Sequence, residues 1–305
     1  MSPRRREEPE FTSYYGRPIL KEPTWAATDI AGYLFMGGLA GASSILAAGA
    51  ELTGRPGLAR PAKLTALTAI GASAAALVHD LGKPSRFYNM LRVAKPTSPM
   101  SVGSWLLAGY GPLAGVSAAT DVLGRVPRVG RAANLGAALL GAGVASYTSV
   151  LIADAAVPAW HEGRRQLPFV FVGSAAAAAG GMGMITAPLD QAGPARRAAV
   201  GGSILELAAT RQLESSSGLA GETFRHGRAG ALLKIARGAT SVGSLAAATL
   251  GGRSRPAAAL AGSALLVGSA LTRFGIFEAG RASTLDPKYV VVPQRERLSN
   301  STVTV

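Results

Sequence analysis

Long apolar runs alternate with short polar and basic segments along this chain of 305 residues. A helix needs about 20 mainly apolar residues to cross a lipid bilayer. Four runs contain no Asp, Glu, Lys or Arg and reach that length: 30–50, 96–120, 132–153 and 166–189. The pattern therefore predicts a protein whose helices lie in a membrane.

The whole pattern predicts an all-α integral membrane protein with eight transmembrane helices in two four-helix bundles. The helices are expected at about 29–51, 63–79, 101–123, 132–157, 167–187, 195–213, 229–250 and 257–277. The expected domains are a polar N-terminal arm (1–28), a first bundle (29–166), a second bundle (167–277) and a polar C-terminal tail (278–305). Charges in the sixth and seventh helices leave a seven-helix arrangement open, in which one of these two lies along the interface.

The composition agrees with a membrane location. Charged residues make up 16% of the chain, whereas soluble domains contain about 25%. The net charge of +14 does not require a nucleic acid partner, because Lys and Arg gather in the loops of membrane proteins. Residues 1–22 are polar and contain no cleavable signal pattern.

The chain contains no cysteine, which excludes disulfides and thiolate-bound iron–sulfur clusters within it. Its three histidines, His79, His161 and His226, lie at a helix end or in connectors. Since membrane haem usually needs axial ligands inside the bundle, we expect no haem, and no metal site. Electrons must then come from a partner protein.

An even number of helices places both termini on one side of the membrane, here called side A. Side A carries 21 Lys and Arg residues and side B carries 10. By the positive-inside rule this favours cytoplasmic termini, in the plasma membrane of the cell.

The first four helices direct their polar residues towards side A, while their side-B ends are expected to be Gly, Ala and Leu. The stretch 79–105 lies between two apolar segments and joins the second helix to the third. Alternation of helix direction brings these residues to the same end of the bundle: Asp29, Tyr33, His79, Asp80, Trp105, Tyr147 and Asp154.

The side-A end of the first bundle, with these polar residues, is suited to binding a quinone. The apolar tail of a quinone enters from the bilayer, and its two carbonyls need hydrogen-bond donors and protons, which Tyr, His and Asp can supply. The predicted catalytic residues are His79, Asp80 and Tyr147. The predicted quinone-binding residues are Asp29, Tyr33, His79, Trp105 and Tyr147. Ionisable residues within membrane helices are functional candidates by default. On this basis a proton path is predicted through Asp154, Glu206 and Lys234.

Structural explanations exist for each of these residues. Asp29 suits a helix start, and Tyr33 and Trp105 suit the aromatic belt at the membrane surface. Glu206 and Lys234 could form a buried ion pair between two helices. That pair also keeps open a proton- or ion-coupled transporter, although transporters usually contain internal repeats and none is visible. A purely structural anchor is a third possibility.

The motifs of the first half resemble those of the NrfD/polysulfide reductase membrane-subunit family. The similarity covers roughly residues 11–172, and it is most specific in 79–105. It is carried by Gly37-Gly38-Leu-Ala-Gly41, His79-Asp80-Leu-Gly-Lys83-Pro84, the segment from Pro96 to Trp105, and Tyr147-Thr148.

This resemblance implies an eight-helix membrane subunit without cofactors that binds menaquinone or ubiquinone in its first bundle. It also implies docking on a four-cluster iron–sulfur subunit, which connects to a molybdopterin catalytic subunit. The expected function is thus the quinone-binding membrane anchor of a respiratory oxidoreductase. By the family pattern, Asp29 and Tyr33 supply polar groups to the quinone ring and Tyr147 is the helix-4 tyrosine.

Overall fold

The structure is a computed structural model, and it describes residues 19–20, 23 and 25–302. The predicted arm, 1–28, therefore lies almost wholly outside the described residues. Within the described part, all regular structure is helical. The eight long helices are α1 (Ala27–Leu52), α2 (Pro56–Asp80), α3 (Pro99–Leu123), α4 (Pro127–Ala153), α6 (Leu167–Thr186), α7 (Gly193–Ser216), α9 (Gly227–Thr249) and α10 (Arg255–Leu285).

Short elements occupy the side-A connections. They are α5 (Pro158–Glu162), α8 (Glu222–Arg225) and two 3-10 helices, Pro84–Leu91 and Gly218–Gly221, while α11 (Lys288–Thr302) follows α10. The first 3-10 helix lies within the stretch 79–105 that joins the second predicted helix to the third, and it buries none of its residues.

Six helices are long and apolar enough to cross a membrane: α1, α2, α3, α4, α6 and α10. Helices α7 and α9 do not reach that criterion, because they carry the charged residues noted in the sequence. The expected all-helical membrane fold is thus found, and six of the eight predicted spans qualify by length and composition.

Two helix boundaries differ clearly from the prediction. Helix α2 begins at Pro56 rather than near 63, because a proline is well tolerated in the first turn of a helix. Helix α10 continues to Leu285, beyond the predicted end at 277. Its last turns are buried, and the ring of Trp160 occupies the space that a side chain at Gly280 would need.

Helix α1 is central and packs against α2, α4, α6 and α10. The predicted small-residue pattern explains how these helices approach it. A Cβ atom added at Gly41 would overlap the backbone of Gly141 in α4. Only glycine at both positions permits this contact, so α1 and α4 form a close backbone pair that supports the site on side A.

Candidate functional site

The beginning of α1 and the end of α2 are joined at side A by two polar contacts. His79 Nδ1 lies 2.9 Å from Asp29 Oδ2, and the backbone N–H of Ala26 donates to Asp80 Oδ1 at 3.3 Å. The Asp80 contact satisfies a backbone donor at the helix start, which would otherwise lack an intrahelical partner. The Asp29 side chain contacts His79 on the neighbouring helix α2 and does not cap its own helix, α1.

Beside this junction lies a cavity of about 340 Å³ between α1, α2, α3 and α4. That volume falls within the usual range of small-molecule sites, about 300–1,000 Å³. Its polar side chains include Tyr33, Asp80 and Asp154. Most of the wall is apolar, including Ile30, Leu34, Leu77, Leu81, Met90, Met100, Leu151 and Ile152.

Tyr33 is the buried polar group of this wall. The residue is 1% exposed, and its hydroxyl has no hydrogen-bond partner among the residues that the structure describes. Ser73 fixes the local backbone by donating to the Tyr33 carbonyl at 3.2 Å. Since buried hydroxyls are nearly always hydrogen-bonded, Tyr33 offers an unused donor to a bound molecule.

The two carboxylates lie nearer to water. Asp80 is half-buried, and Asp154, which ends α4, is exposed. The wall of the cavity therefore includes Tyr33, whose hydroxyl is buried, and the titratable Asp80 and Asp154 nearer to its outer rim. This arrangement can bind a polar ring and exchange protons with the aqueous phase.

A second, apolar cavity of about 160 Å³ adjoins the first. The two share Leu77, Leu81 and Met90 as wall residues. The second cavity lies between α2, α3 and the 3-10 helix Pro84–Leu91, and it includes Phe87 and Leu107. These shared residues separate the two cavities. A molecule moving from the polar cavity to the lipid-facing groove between α2 and α3 would have to pass them.

Tyr147 lies outside the lining of the polar cavity. Its ring packs on α3 at Gly103, where an added Cβ atom would overlap it. Tyr147 lies one turn from Leu151 on the same face of α4, and Leu151 does line the cavity. Tyr147 thus supports the cavity wall from one turn deeper in the membrane.

Three other predicted binding residues also lie outside the described lining of the cavity. The side chain of His79 is 79% exposed, and Asp29 is its partner. Trp105 is exposed, and its indole N–H donates to the carbonyl of Val93 at 3.4 Å. Trp105 therefore anchors the loop that precedes α3.

The larger cavity between α1, α2, α6 and α10, of about 710 Å³, is less suitable. Its polar side chains are threonines, among them Thr65, Thr68 and Thr186, and each of these three donates to a carbonyl of its own helix. No ionisable side chain is among its described lining residues.

The expectation of apolar side-B ends is wrong. Lys63, with a side chain 4% exposed, lies 3.3 Å from Glu51 and 3.1 Å from Asp121. Asn134 donates to the same Glu51 carboxylate at 2.5 Å. These four residues belong to four different helices, α1 to α4. The two carboxylates balance the charge of Lys63, which permits its burial.

The structure does not pair Glu206 with Lys234. Glu206 is 2% exposed, whereas Lys234 is exposed on α9. The carboxylate instead accepts a hydrogen bond from Thr272 at 2.7 Å, and the nearby cation is Arg273, which is fully buried. The predicted ion pairing between these helices is made by Arg237 and Glu214 at 2.7 Å.

Arg273 is missing from the predicted site residues. It could have been found from the sequence, since it is the one charge between Arg255 and Glu278 in an otherwise uncharged helix. Among the residues with a described placement, no group of three or more His, Asp or Glu could hold a metal ion.

Comparison with known proteins agrees with the resemblance seen in the sequence. A family model described as "Polysulphide reductase, NrfD" matches residues 20–207. The match includes the whole of the cavity described above and reaches into α7. No curated protein sequence matches the chain.

Proposed function

Because the matched region is more than half of the chain, the protein belongs to the polysulphide reductase NrfD family, and we propose that it is the quinone-binding membrane subunit of its complex. Membership of the family makes the chain a membrane subunit of a polysulphide reductase-type complex. The proposal adds that the subunit passes electrons between an iron–sulfur partner and the quinone pool of the membrane. The observation that carries it is Tyr33, a residue of the wall of the side-A cavity whose buried hydroxyl has no hydrogen-bond partner among the described residues.

A quinone headgroup accepts hydrogen bonds at two carbonyl oxygens and takes up two protons when it is reduced. Tyr33 can donate to one of these oxygens without losing another contact, since its hydroxyl has none. The apolar wall excludes water from the ring and thereby strengthens that hydrogen bond.

Asp80 and Asp154 are proposed to deliver protons from the rim of the cavity. Both line it, and Asp154 is exposed to solvent. The Asp29–His79 contact lies at the same surface and can exchange protons with water. Tyr147 is proposed to position the cavity wall and to contact the ring only if the ring enters one turn deeper.

The tail would pass through the apolar cavity between α2 and α3. Met90, Leu77 and Leu81 separate the two cavities, and a flexible methionine can move aside more easily than a branched residue. The exposed Phe87 lies at the outer end of this route. An isoprenoid chain, as in menaquinone or ubiquinone, fits such a passage.

The proposed topology has eight spans in two bundles, 29–166 and 167–277, with α7 and α9 crossing the membrane despite their charges. Burial of Glu206 and pairing of Arg237 with Glu214 reduce the cost of placing these helices in lipid. The termini are proposed to face the cytoplasm at the plasma membrane. The iron–sulfur subunit, linked to a molybdopterin catalytic subunit, would dock on side A next to the cavity.

The test compares Tyr33→Phe with Tyr110→Phe in the purified complex. Tyr110 is also fully buried, but its hydroxyl is already bonded to Ser44 at 2.8 Å. Loss of one hydrogen bond to the quinone should raise the KM for quinone roughly tenfold in Tyr33→Phe only. Dye-linked activity of the partner subunits should not change. Equal quinone kinetics in the two variants would contradict the proposal.

A further inference from the structure

A charged centre lies inside the protein, where α1, α6, α7 and α10 meet. Arg273 is 0% exposed and Glu206 is 2% exposed. Glu206 lies ten residues from the side-A end of α7, and Arg273 lies twelve residues from that end of α10. These spacings correspond to roughly 15 and 18 Å along the two helices, so both residues lie well inside the helix bundle.

The two charges do not form a direct ion pair. Arg273 Nη2 donates to the carbonyl of Phe171 at 2.8 Å, and the guanidinium lies 3.8 Å from the centre of the Phe171 ring. Glu206 Oε1 accepts from Thr272. In contrast, a carboxylate that serves only as counter-ion to an arginine usually accepts two parallel hydrogen bonds from it.

Several polar atoms of this centre have no partner in the described part of the chain. They are Glu206 Oε2, Arg273 Nε and Arg273 Nη1, and all are buried. Buried polar atoms of this kind are normally satisfied by internal water, which makes two to four hydrogen bonds. The carboxylate also faces the hydroxyl of Ser174, which is bonded to Ser269 at 2.8 Å. The surroundings are therefore polar enough to hold water.

Thr272 allows Glu206 to exist in either protonation state. The Thr272 hydroxyl lies 2.7 Å from the carboxylate and 3.0 Å from the carbonyl of Gly268. When Glu206 is charged, Thr272 donates to it. When Glu206 is protonated, its own O–H donates to Thr272, which then donates to Gly268. No hydrogen bond of the carboxyl group is lost by the change.

On the helices packed around Glu206, the other described charged side chains do not balance its negative charge. On α9, Lys234 is exposed and Arg237 binds Glu214. On α1, the residue beside the guanidinium is Gly38, whose Cβ position lies 3.4 Å from Arg273 Nη2. On α6, Ser174 is the polar neighbour.

We propose that Glu206 and Arg273 form a hydrated site inside the helix bundle at which Glu206 takes up and releases a proton through bound water. The bond that forms or breaks is the O–H bond of the Glu206 carboxyl, and the proton comes from water. Arg273 keeps its charge and holds the water in place. This site does not depend on quinone binding and would function equally beside another substrate.

The test is infrared difference spectroscopy of the purified chain in lipid without quinone, between about pH 5 and about pH 10. We expect a protonated-carboxyl C=O band that varies with pH and shifts in D2O. The band should disappear in Glu206→Gln and persist in Glu214→Gln, a control on the same helix whose carboxylate binds Arg237 directly.

A further variant covers the case in which Glu206→Gln does not fold. In Thr272→Val the charged carboxylate loses a donor, so the band should persist to higher pH than in the wild type. A wild-type spectrum without a pH-dependent carboxyl band would overturn the proposal, as would a band that does not respond to D2O or survives in Glu206→Gln. None of these results bears on the cavity at Tyr33.

Discussion

Asp29 and His79 join the start of α1 to the end of α2 through a contact of 2.9 Å between a carboxylate oxygen and an imidazole nitrogen. The pair lies at the surface, since the His79 side chain is 79% exposed. Exposed ion pairs contribute about 0–1 kcal/mol. We therefore expect His79→Ala to lower the free energy of unfolding by less than about 1 kcal/mol.

The same variant separates two roles for His79. If it exchanges protons only at the rim, His79→Ala should slow quinone reduction much less than Tyr33→Phe does. The measurement is steady-state quinone reduction by the purified complex at several pH values. A loss as large as that in Tyr33→Phe would instead place His79 at the quinone ring.

Gly103 should not tolerate a side chain. A Cβ atom there overlaps the ring of Tyr147, so Gly103→Ala must displace either the ring or α3. Overpacking of this kind typically costs about 1–3 kcal/mol. Thermal unfolding in detergent measures the effect, and Gly115→Ala is the matched control.

Gly115 lies on the same helix, and a Cβ atom there has nothing within 4 Å. Since alanine is favoured over glycine in helix interiors by up to about 1 kcal/mol, this control should be neutral or stabilising. Equal melting temperatures for Gly103→Ala and Gly115→Ala would contradict the packing of α3 on α4 at Tyr147.

Lys63 should be essential for the stability of the side-B end. Lys63→Met leaves Glu51 and Asp121 near each other without their shared cation. Because both carboxylates are partly exposed and keep an arginine nearby, the loss of stability should lie between the about 1 kcal/mol of an exposed pair and the about 3–5 kcal/mol of a fully buried one. The control is Arg60→Gln, because Arg60 is more than half exposed and lies 3.6 Å from Asp121. Similar unfolding curves for the two variants would contradict a structural role for Lys63.

Met90 should control access of the quinone tail. Met90→Trp places a larger and stiffer side chain between the two cavities that share this residue. We expect the KM for a long-chain quinone to rise at least about tenfold, while a tail-less analogue is affected little. Kinetics with both substrates provide the measurement. A parallel change for both would show that the tail takes another route.

The sequence was sufficient to predict the helices and the end of the bundle that carries the cavity, since apolar run length and helix direction determine both. It could not show which polar residues face inward. His79 and Trp105 are near the cavity in sequence but exposed in the fold, because a helix end or surface turn can present a side chain to water.

Other features depend on contacts between distant segments. Lys63 is buried only because Glu51 and Asp121 come from other helices, so its neighbourhood is not visible in local sequence. Likewise, Glu206 meets Thr272 and Arg273 rather than Lys234, because rotation of α9 turns Lys234 outward. Charges within apolar helices point to an internal site, but their partners follow from packing.

The most direct test of quinone binding at Tyr33 is photolabelling of the purified complex with a photoreactive quinone, followed by peptide mapping. We predict labels within the side-A cavity, on segments 30–34, 77–81, 98–100 and 151–155, with competition by unmodified quinone. Competed labels confined to the larger cavity, for example at Met182 or Leu266, or no competed label at all, would contradict the assignment.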